Sequence, residues 1–322
     1  MLLSICIPTY NRAAFLNQNL RVLVPLVANY PKDVELIISD NASTDETVSV
    51  CEGYGLGLTN YHYFQQSENI GSENNFFWLI DHACGKYVYL MGDDDILSPD
   101  FLNIVIPYLK SPNDYDSVHW NRFHGDAACN NNRLNDCSFF GDPVEDLTFD
   151  HFVRRVYGYP NFISSIIFKK DVFVKAKDVP YSYRGYRVFG QLYWGLGLSN
   201  GRSLYYYFPL IIQRNPDKPW AKYWPQYCIS SMNGIFEHME TFIPGVFKEW
   251  RTRWDRDMRQ AIPLVAANKA YYRQKCVRDA MTKYLSTGEK WTFYYYLYFP
   301  FARFIHRFTD GVSALIEKML WR

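Results

Sequence analysis

The sequence has almost no net charge. Over 322 residues, 34 Lys and Arg stand against 33 Asp and Glu, which excludes the broad cationic field that gathers a nucleic acid. Cysteine is sparse and unpatterned: Cys6, Cys51, Cys84, Cys129, Cys137, Cys228 and Cys276 are odd in number, with no CxxC and no Cys/His metal spacing. That argues against a disulfide scaffold or a zinc site and for reduced thiols in a cytosolic compartment. No uninterrupted apolar run reaches the roughly 18 residues that a spanning helix needs. The opening MLLSICIPTYNR is apolar for too short a stretch to be a secretory signal, and it reads as a first strand. There is no internal repeat, Walker motif, GxSxG or HExxH. GYGLGL at 53–58 precedes a strand and opens no helix, so it is a loop rather than a dinucleotide fingerprint. Any charge-driven partner must therefore be bound locally.

What is present is apolar and aromatic. Hydrophobic residues make up 48% of the chain, enough for one large core or two modest ones. Aromatics reach 18%, with 27 Tyr, and they crowd into the second half, as suits a core, a sugar-stacking surface or a membrane interface. Over the first 120 residues short β-rich runs alternate with amphipathic helix-length segments, the pattern of a parallel sheet flanked by helices. Strands are expected at 3–7, 34–39, 61–65, 86–91 and 117–121. Helices are expected at 13–28, 44–52 and 71–83, with another opening at Ser98, where Ser-Pro-Asp offers a cap and a first-turn proline. In such sheets ligands bind beyond the carboxyl ends of the strands.

Four stretches fall at those ends. KYVYLMGDDD, residues 86–95, drives a strand into Asp93, Asp94 and Asp95, and carboxylates this close are unfavourable unless something neutralises them. In an extended segment Asp93 and Asp95 point to the same side and can converge on one ion. Oxygen ligation suits Mg²⁺ or Mn²⁺, with phosphate oxygens completing the shell. The plainer reading is acidic residues solvated at a helix start. CIPTYNR, residues 6–12, offers Pro8, Thr9, Tyr10 and Asn11, a ring to stack on a base and amides to meet an anion. ISDNASTDET, residues 38–47, brings Asp40 and Asn41, with Ser43 or Thr44 as helix cap. ENIGSENN, residues 68–75, contributes Asn69, Gly71 and Asn74. Each of the three has the alternative of an ordinary connecting turn.

Taken together, IPTYNR, SDNASTD, NIG and GKYVYLMGDDD resemble, in order and spacing, the nucleotide-sugar-binding half of glycosyltransferase family 2, over residues 1–120. The resemblance implies an α/β GT-A fold with a mostly parallel central sheet. It gives nucleotide cradling to Pro8, Thr9, Tyr10, Asn11 and Asp40, and the ribose and metal-diphosphate contacts of a DxD motif to Asp93, Asp94 and Asp95. Asn41, Asn69, Gly71 and Asn74 join the donor set, and Asp93 with Asp95 are the expected ligands of Mn²⁺ or Mg²⁺. Residues 121–219 would form the acceptor half and 220–322 a helical, aromatic-rich C-terminal region. FISSIIFKKDVF and FGQLYWGLGLSNGRSLYYYFPLIIQRN are similar to bacterial transferases of O-antigen and capsule repeat units, the abequosyltransferases among them. That implies a lipid-linked glycan acceptor and a place on the cytoplasmic face of the plasma membrane.

Two departures from the family stand out. Asn74 and Asn75 occupy the area where many members carry an arginine. Gln191, in RVFGQLYW, stands where a catalytic acid is common, and a glutamine amide cannot take a proton at neutral pH. Asp142, Glu145, Asp178 and His124 are candidate substitutes for the base, and a reaction that retains stereochemistry would need none. Trp194, Tyr205, Trp220 and Trp224 are candidate acceptor neighbours, with core packing the commoner role for any one of them, and Arg214 and Lys218 are candidate pyrophosphate contacts or solvated loop charges. In the tail 291–322, WTFYYYLYFPFA carries no charge, and the apolar positions that follow recur at helical spacing with Arg303, Arg307, Lys318 and Arg322 between them. Such a helix lies in a membrane interface or packs on protein. The alternatives to sugar transfer are nucleotidyl transfer, or a nucleotide-sugar or glycan binder that has lost its catalytic acid.

Overall fold

In a computed structural model the chain is described at residues 1–126, 129, 133–134, 144–156, 162–177, 187–214, 232–252, 262 and 275–298. It divides into two compact units. The first covers Met1–Ser182, Tyr186–Asp217 and Thr241–Ile243 and holds the sheet. The second covers Tyr183–Gly185, Lys218–Glu240 and Pro244–Arg322. Its described helices include α8 (Asn233–Met239), α9 (Lys275–Tyr284) and α10 (Thr287–Tyr298).

The first unit begins with the expected alternation: β1 (Leu3–Thr9), α1 (Ala13–Ala28), β2 (Val34–Asp40), α2 (Thr47–Gly55), β3 (Tyr61–Gln65), α3 (Ser72–His82) and β4 (Tyr87–Leu90). β3, β2, β1 and β4 lie side by side, all parallel. β1 and β2 are covered on both faces and accordingly read as near-continuous apolar runs rather than alternating ones. α1 presents Ala13, Leu16, Leu20, Leu23 and Val27 to that core at helical spacing. Asn19 is the polar member of the same buried stripe.

The second half of the sheet is mixed. After β5 (Ile96–Leu97) and α4 (Phe101–Leu109) come β6 (Ser117–Gly125), β7 (Arg133–Leu134), β8 (Val144–Thr148), α5 (Phe149–Val156), β9 (Ile166–Lys169), α6 (Lys170–Val174), α7 (Arg187–Ser199) and β10 (Arg202–Arg214). β9 runs antiparallel between β4 and β6, whereas β6 and β10 are parallel. The strand and helix read from FISSIIFKKDVF are β9 and α6, and SLYYYFPLII lies within β10. Tyr89, Phe101 and Trp120 meet at centroid distances of 5.0–5.3 Å, so part of the aromatic excess serves the core.

Two helix starts differ from expectation. Ile96 and Leu97 pair with Ile212 and Ile211, and the Ser98 amide donates to the Leu210 carbonyl at 2.8 Å. That pairing holds the chain extended through Ser98, and α4 opens at Phe101 instead. α2 opens at Thr47 rather than Thr44, because Asn11 Oδ1 accepts the Thr44 amide at 2.7 Å and Asp45 Oδ1 accepts the Thr47 amide at 3.1 Å. The polar stretch 126–142 lies almost wholly outside the described residues.

His119 is buried on β6, its Nε2 at 2.8 Å from Ser117 Oγ and its ring 4.2 Å from that of Phe152. Burial pushes its pKa down to about 3. An unfolded imidazole takes its proton near pH 6.5, so the unfolded chain binds more protons between about pH 6.5 and 3, and stability falls as pH drops through that window. We expect His119→Gln to flatten the acid limb of stability against pH by up to about 1.4 kcal/mol per pH unit, measured as the urea midpoint at fixed ionic strength. An unchanged slope would assign acid sensitivity to other groups.

Candidate active site

Parallel pairing places the carboxyl ends of β1, β2 and β4 together, and the loops leaving them carry the candidate residues. Thr9 closes β1. Its hydroxyl donates to Asp93 Oδ2 at 2.9 Å, so the acidic turn is tied to the tip of the first strand and not splayed into solvent. Asp93 and Asp95 are buried, and Asp94 is partly open. Ser164 Oγ donates to Asp95 Oδ2 at 2.6 Å and the Arg214 amide donates to Asp95 Oδ1 at 3.3 Å. Asn19 Nδ2 donates to the carbonyls of Asp95 and Gly92 at 2.9 and 3.2 Å. The turn is so tight that a Cβ on Gly92 would sit 2.7 Å from Asp95 Oδ2, which accounts for the glycine before the aspartates.

Charge at the corner is strongly perturbed. Burial pushes the Asp93 carboxyl up to about 7; Arg12 pulls it back and Asp94 pushes it further up. Burial, then the Asp94 charge, raises Asp95 well above the ordinary carboxylate range. Arg12 Nη2 lies 2.7 Å from Asp94 Oδ2 and Nη1 3.4 Å from Asp93 Oδ1. This arginine, the last letter of IPTYNR, is a site residue that motif reading left without a role. The signal available for it was charge: a lone cation within the first-strand motif, in a chain whose fourth-strand motif ends in three anions.

The neighbouring loops are held by amides. Asp40 is fully buried, accepting from the Ser43 amide at 2.9 Å and from the Tyr63 hydroxyl at 3.0 Å. Asn41 donates from Nδ2 to Asn69 Oδ1 at 2.9 Å and accepts the Ile70 amide at 2.9 Å, binding the β2 tip to the NIG turn. Gly71 has φ +84 there, a left-handed value that side chains rarely adopt. Asn11 takes φ 52, and Ser43 Oγ accepts its amide at 2.8 Å. The Tyr10 ring is exposed, free to lie against a planar ligand. Pro8 pairs with Ser39 in the β1–β2 ladder. Asn74 donates to the Ile70 carbonyl at 2.8 Å, and Asn75 is buried against Ser39, so neither stands in for an arginine.

The profile of glycosyl transferase family 2 matches residues 4–189. The chain belongs to that family. Among curated relatives, the abequosyltransferase RfbV of Salmonella typhimurium is 39% identical over 121 residues, 35% of this chain and 34% of that protein. A GalNAc(5)-diNAcBac-PP-undecaprenol beta-1,3-glucosyltransferase of Campylobacter jejuni is 34% identical over 97 residues, 30% of each chain. The matches thus span about a third of the length of these two relatives. Among solved structures, S. aureus TarS 1-349 in complex with UDP-GlcNAc aligns over 92% of this chain and 80% of its own at TM-score 0.55 and 14% identity. The mannosyltransferase PcManGT of Pyrobaculum calidifontis, in complex with GDP-Man and Mn²⁺, aligns over 92% and 84% at TM-score 0.53 and 16% identity. These structural likenesses bear out the GT-A fold.

Several second-half expectations are corrected. Arg214 is buried, and its guanidinium donates to the Asp94 carbonyl, to Gln18 Oε1 and, at 3.3 Å, to the Phe15 carbonyl. It braces the acidic turn against α1 and does not face outward toward a pyrophosphate. Tyr205 is buried in β10, and Trp194 packs edge-on to Phe242 at 4.9 Å. Gln191 Nε2 donates to the Phe173 carbonyl at 2.9 Å, joining α7 to α6. Glu145 lies on β8 opposite Tyr205, and His124 on β6 beside Arg133. Trp220, Trp224, Lys218, Asp142 and Asp178 lie outside the described residues.

The acidic turn fits a divalent ion by chemistry. Asp93 and Asp95 are buried, crowded and pushed toward protonation, and only hard oxygen donors are offered. Among the described residues no group of three or more His, Cys, Asp and Glu side chains is arranged to hold an ion. The protein would therefore supply one or two ligands, Asp93 and Asp95, and phosphate oxygens the others. For the amide frame around it, Asn41→Ala should cost about 1–3 kcal/mol by leaving the Ile70 amide unpaired, while Asn69 Oδ1 keeps the Gly71 amide. Hydrogen exchange at Ile70 and Gly71 should accelerate; unchanged protection would show that the turn holds without Asn41.

Proposed function

We propose that the chain transfers a sugar from a nucleotide-sugar donor to a lipid-linked glycan acceptor in the assembly of a bacterial surface polysaccharide. The observation that carries this reading is the Thr9–Asp93 hydrogen bond of 2.9 Å, which joins the proposed nucleotide cradle to the acidic corner. Tyr10 offers its exposed ring to the base. The Asn41–Asn69 bridge lines the base and ribose side, with Asp40 buried behind it holding Ser43 and Tyr63 in place and Gly71 letting the NIG turn approach closely. Asp94, the most open of the three aspartates, accepts from the ribose. A divalent ion on Asp93 and Asp95, when bound, supplies charge to the departing diphosphate. The chain's own part is to hold the donor so that an acceptor hydroxyl can approach the anomeric carbon. The relatives support this reading: one structural neighbour is complexed with UDP-GlcNAc, another with GDP-Man and Mn²⁺, and a curated relative is named for an undecaprenol-linked acceptor.

The test is release of nucleoside diphosphate from a panel of nucleotide-sugars with Mn²⁺, with and without an acceptor-lipid extract. Acceptor-dependent release is expected. Diphosphate binding without release under any pairing favours the binding protein that Gln191 makes conceivable, and pyrophosphate release from nucleoside triphosphates favours nucleotidyl transfer. Asp94→Asn should weaken donor binding by about tenfold with the urea midpoint unchanged. It is a cleaner probe than Asp95→Ala, because Asp95 also anchors Ser164 and Arg214. Unchanged calorimetric affinity would remove Asp94 from the donor site.

The same reading places the protein peripherally on the inner face of the membrane through residues 291–322. Among the described residues no helix is long and apolar enough to cross a membrane. On α10, Phe293 is fully buried while Trp291 is 72% exposed, so this turn has an outward aromatic face of the kind that sits at a lipid interface. Truncation after Tyr298 combined with Trp291→Ser should release the protein from phosphatidylglycerol vesicles in flotation. Equally strong association would contradict the placement.

A further inference from the structure

The aspartates of the acidic turn are served by two arginines of opposite character. Arg214 is 3% exposed and spends its guanidinium on Gln18 Oε1 and two backbone carbonyls, so it is locked. Arg12 is different. Its side chain is 29% accessible, and it makes one tight contact, 2.7 Å to Asp94 Oδ2, with a looser one of 3.4 Å to Asp93 Oδ1. Its guanidinium carbon lies 5.2 Å from the Phe15 ring centroid, and Arg214 lies 5.1 Å from the same ring. The Phe15 ring thus has a guanidinium contact with each arginine. The other oxygen of Asp93 is already held by Thr9, so Arg12 meets the oxygen that remains.

We infer that Arg12 and a divalent ion are alternative cations for the open edge of Asp93, and that Arg12 must leave Asp93 when an ion is taken up. The inference rests on the donor-site reading above and adds a residue to it. Two positive charges cannot share one carboxylate edge without repulsion. The long, half-exposed arginine is the partner able to move. Once displaced, its fork of donors is left beside the position of the donor's phosphates, to which guanidinium binds in bidentate fashion. Arg12 would thus set the order of events: an ion arriving with a diphosphate offers the guanidinium a new partner, whereas an ion arriving alone does not.

The probe is Mn²⁺ alone, titrated into the full chain and followed by the electron paramagnetic resonance signal of the free ion, then repeated with UDP and GDP. Arg12→Gln should bind Mn²⁺ about tenfold more tightly than the native protein without nucleotide, because a competing charge is gone, and should gain less from added diphosphate. Arg12→Lys, which keeps the charge but lacks the fork, should fall between the two. It carries the same sign of effect should the glutamine variant fail to fold. Mn²⁺ affinity equal to or weaker than the native value in both variants overturns the exchange. If diphosphate binding is then intact, the donor-site reading survives. Absence of any Mn²⁺ binding with or without diphosphate overturns both.

Discussion

Three adjacent carboxylates can be held at one sheet edge only if donors from elsewhere in the chain meet them. Here each is met from a different place. Thr9 comes from the end of β1, Ser164 from the turn before β9, the Arg214 amide from the end of β10, and Arg12 from the start of α1. The acidic turn is therefore a junction of both halves of the sheet as well as a ligand site. Disturbing it at Asp95 disturbs the fold, while Asp94 and Arg12 sit on its open side.

α1 is the organiser of that junction. Arg12, Phe15, Gln18 and Asn19 occupy neighbouring positions on the helix surface, as the 3.6-residue period requires. Arg12 pairs with the aspartate side chains, Phe15 and Gln18 receive Arg214, and Asn19 bonds the carbonyls of the turn. Below them Leu16, Leu20, Leu23 and Val27 fix the helix to the core. A buried hydrophobic face thus carries a polar face to the site.

The opposite wall has another logic. Around β2 and α3, amides bond amides: Asn41 to Asn69, Asn11 to Thr44, Asn75 to Ser39. These neutral bonds fix loop shape without adding charge of their own. The same preference for structure over chemistry explains Gln191, whose amide joins two helices. An acid there would have to face the Phe173 carbonyl, a partner it can meet only when protonated.

The early strands, their parallel order and the positions of the four motifs were legible in the sequence, because burial on both faces forces continuous apolar runs and turns demand particular residues. Helix starts at Ser98 and Thr44 misled, since capping chemistry is local while the Leu97–Ile211 pairing and the Asn11–Thr44 bond reach across the chain. The bracing role of Arg214 was not legible either, whereas the packing of Tyr205 and Trp194 is the commoner fate of such aromatics. What the sequence alone determined was which chemical groups arrive at the carboxyl edge, because strand period and punctuation fix where each loop begins. Only the tertiary structure decided which of those groups stay open and which are used up as braces, because that depends on donors supplied from up to 199 positions away, the separation of Arg214 from Phe15.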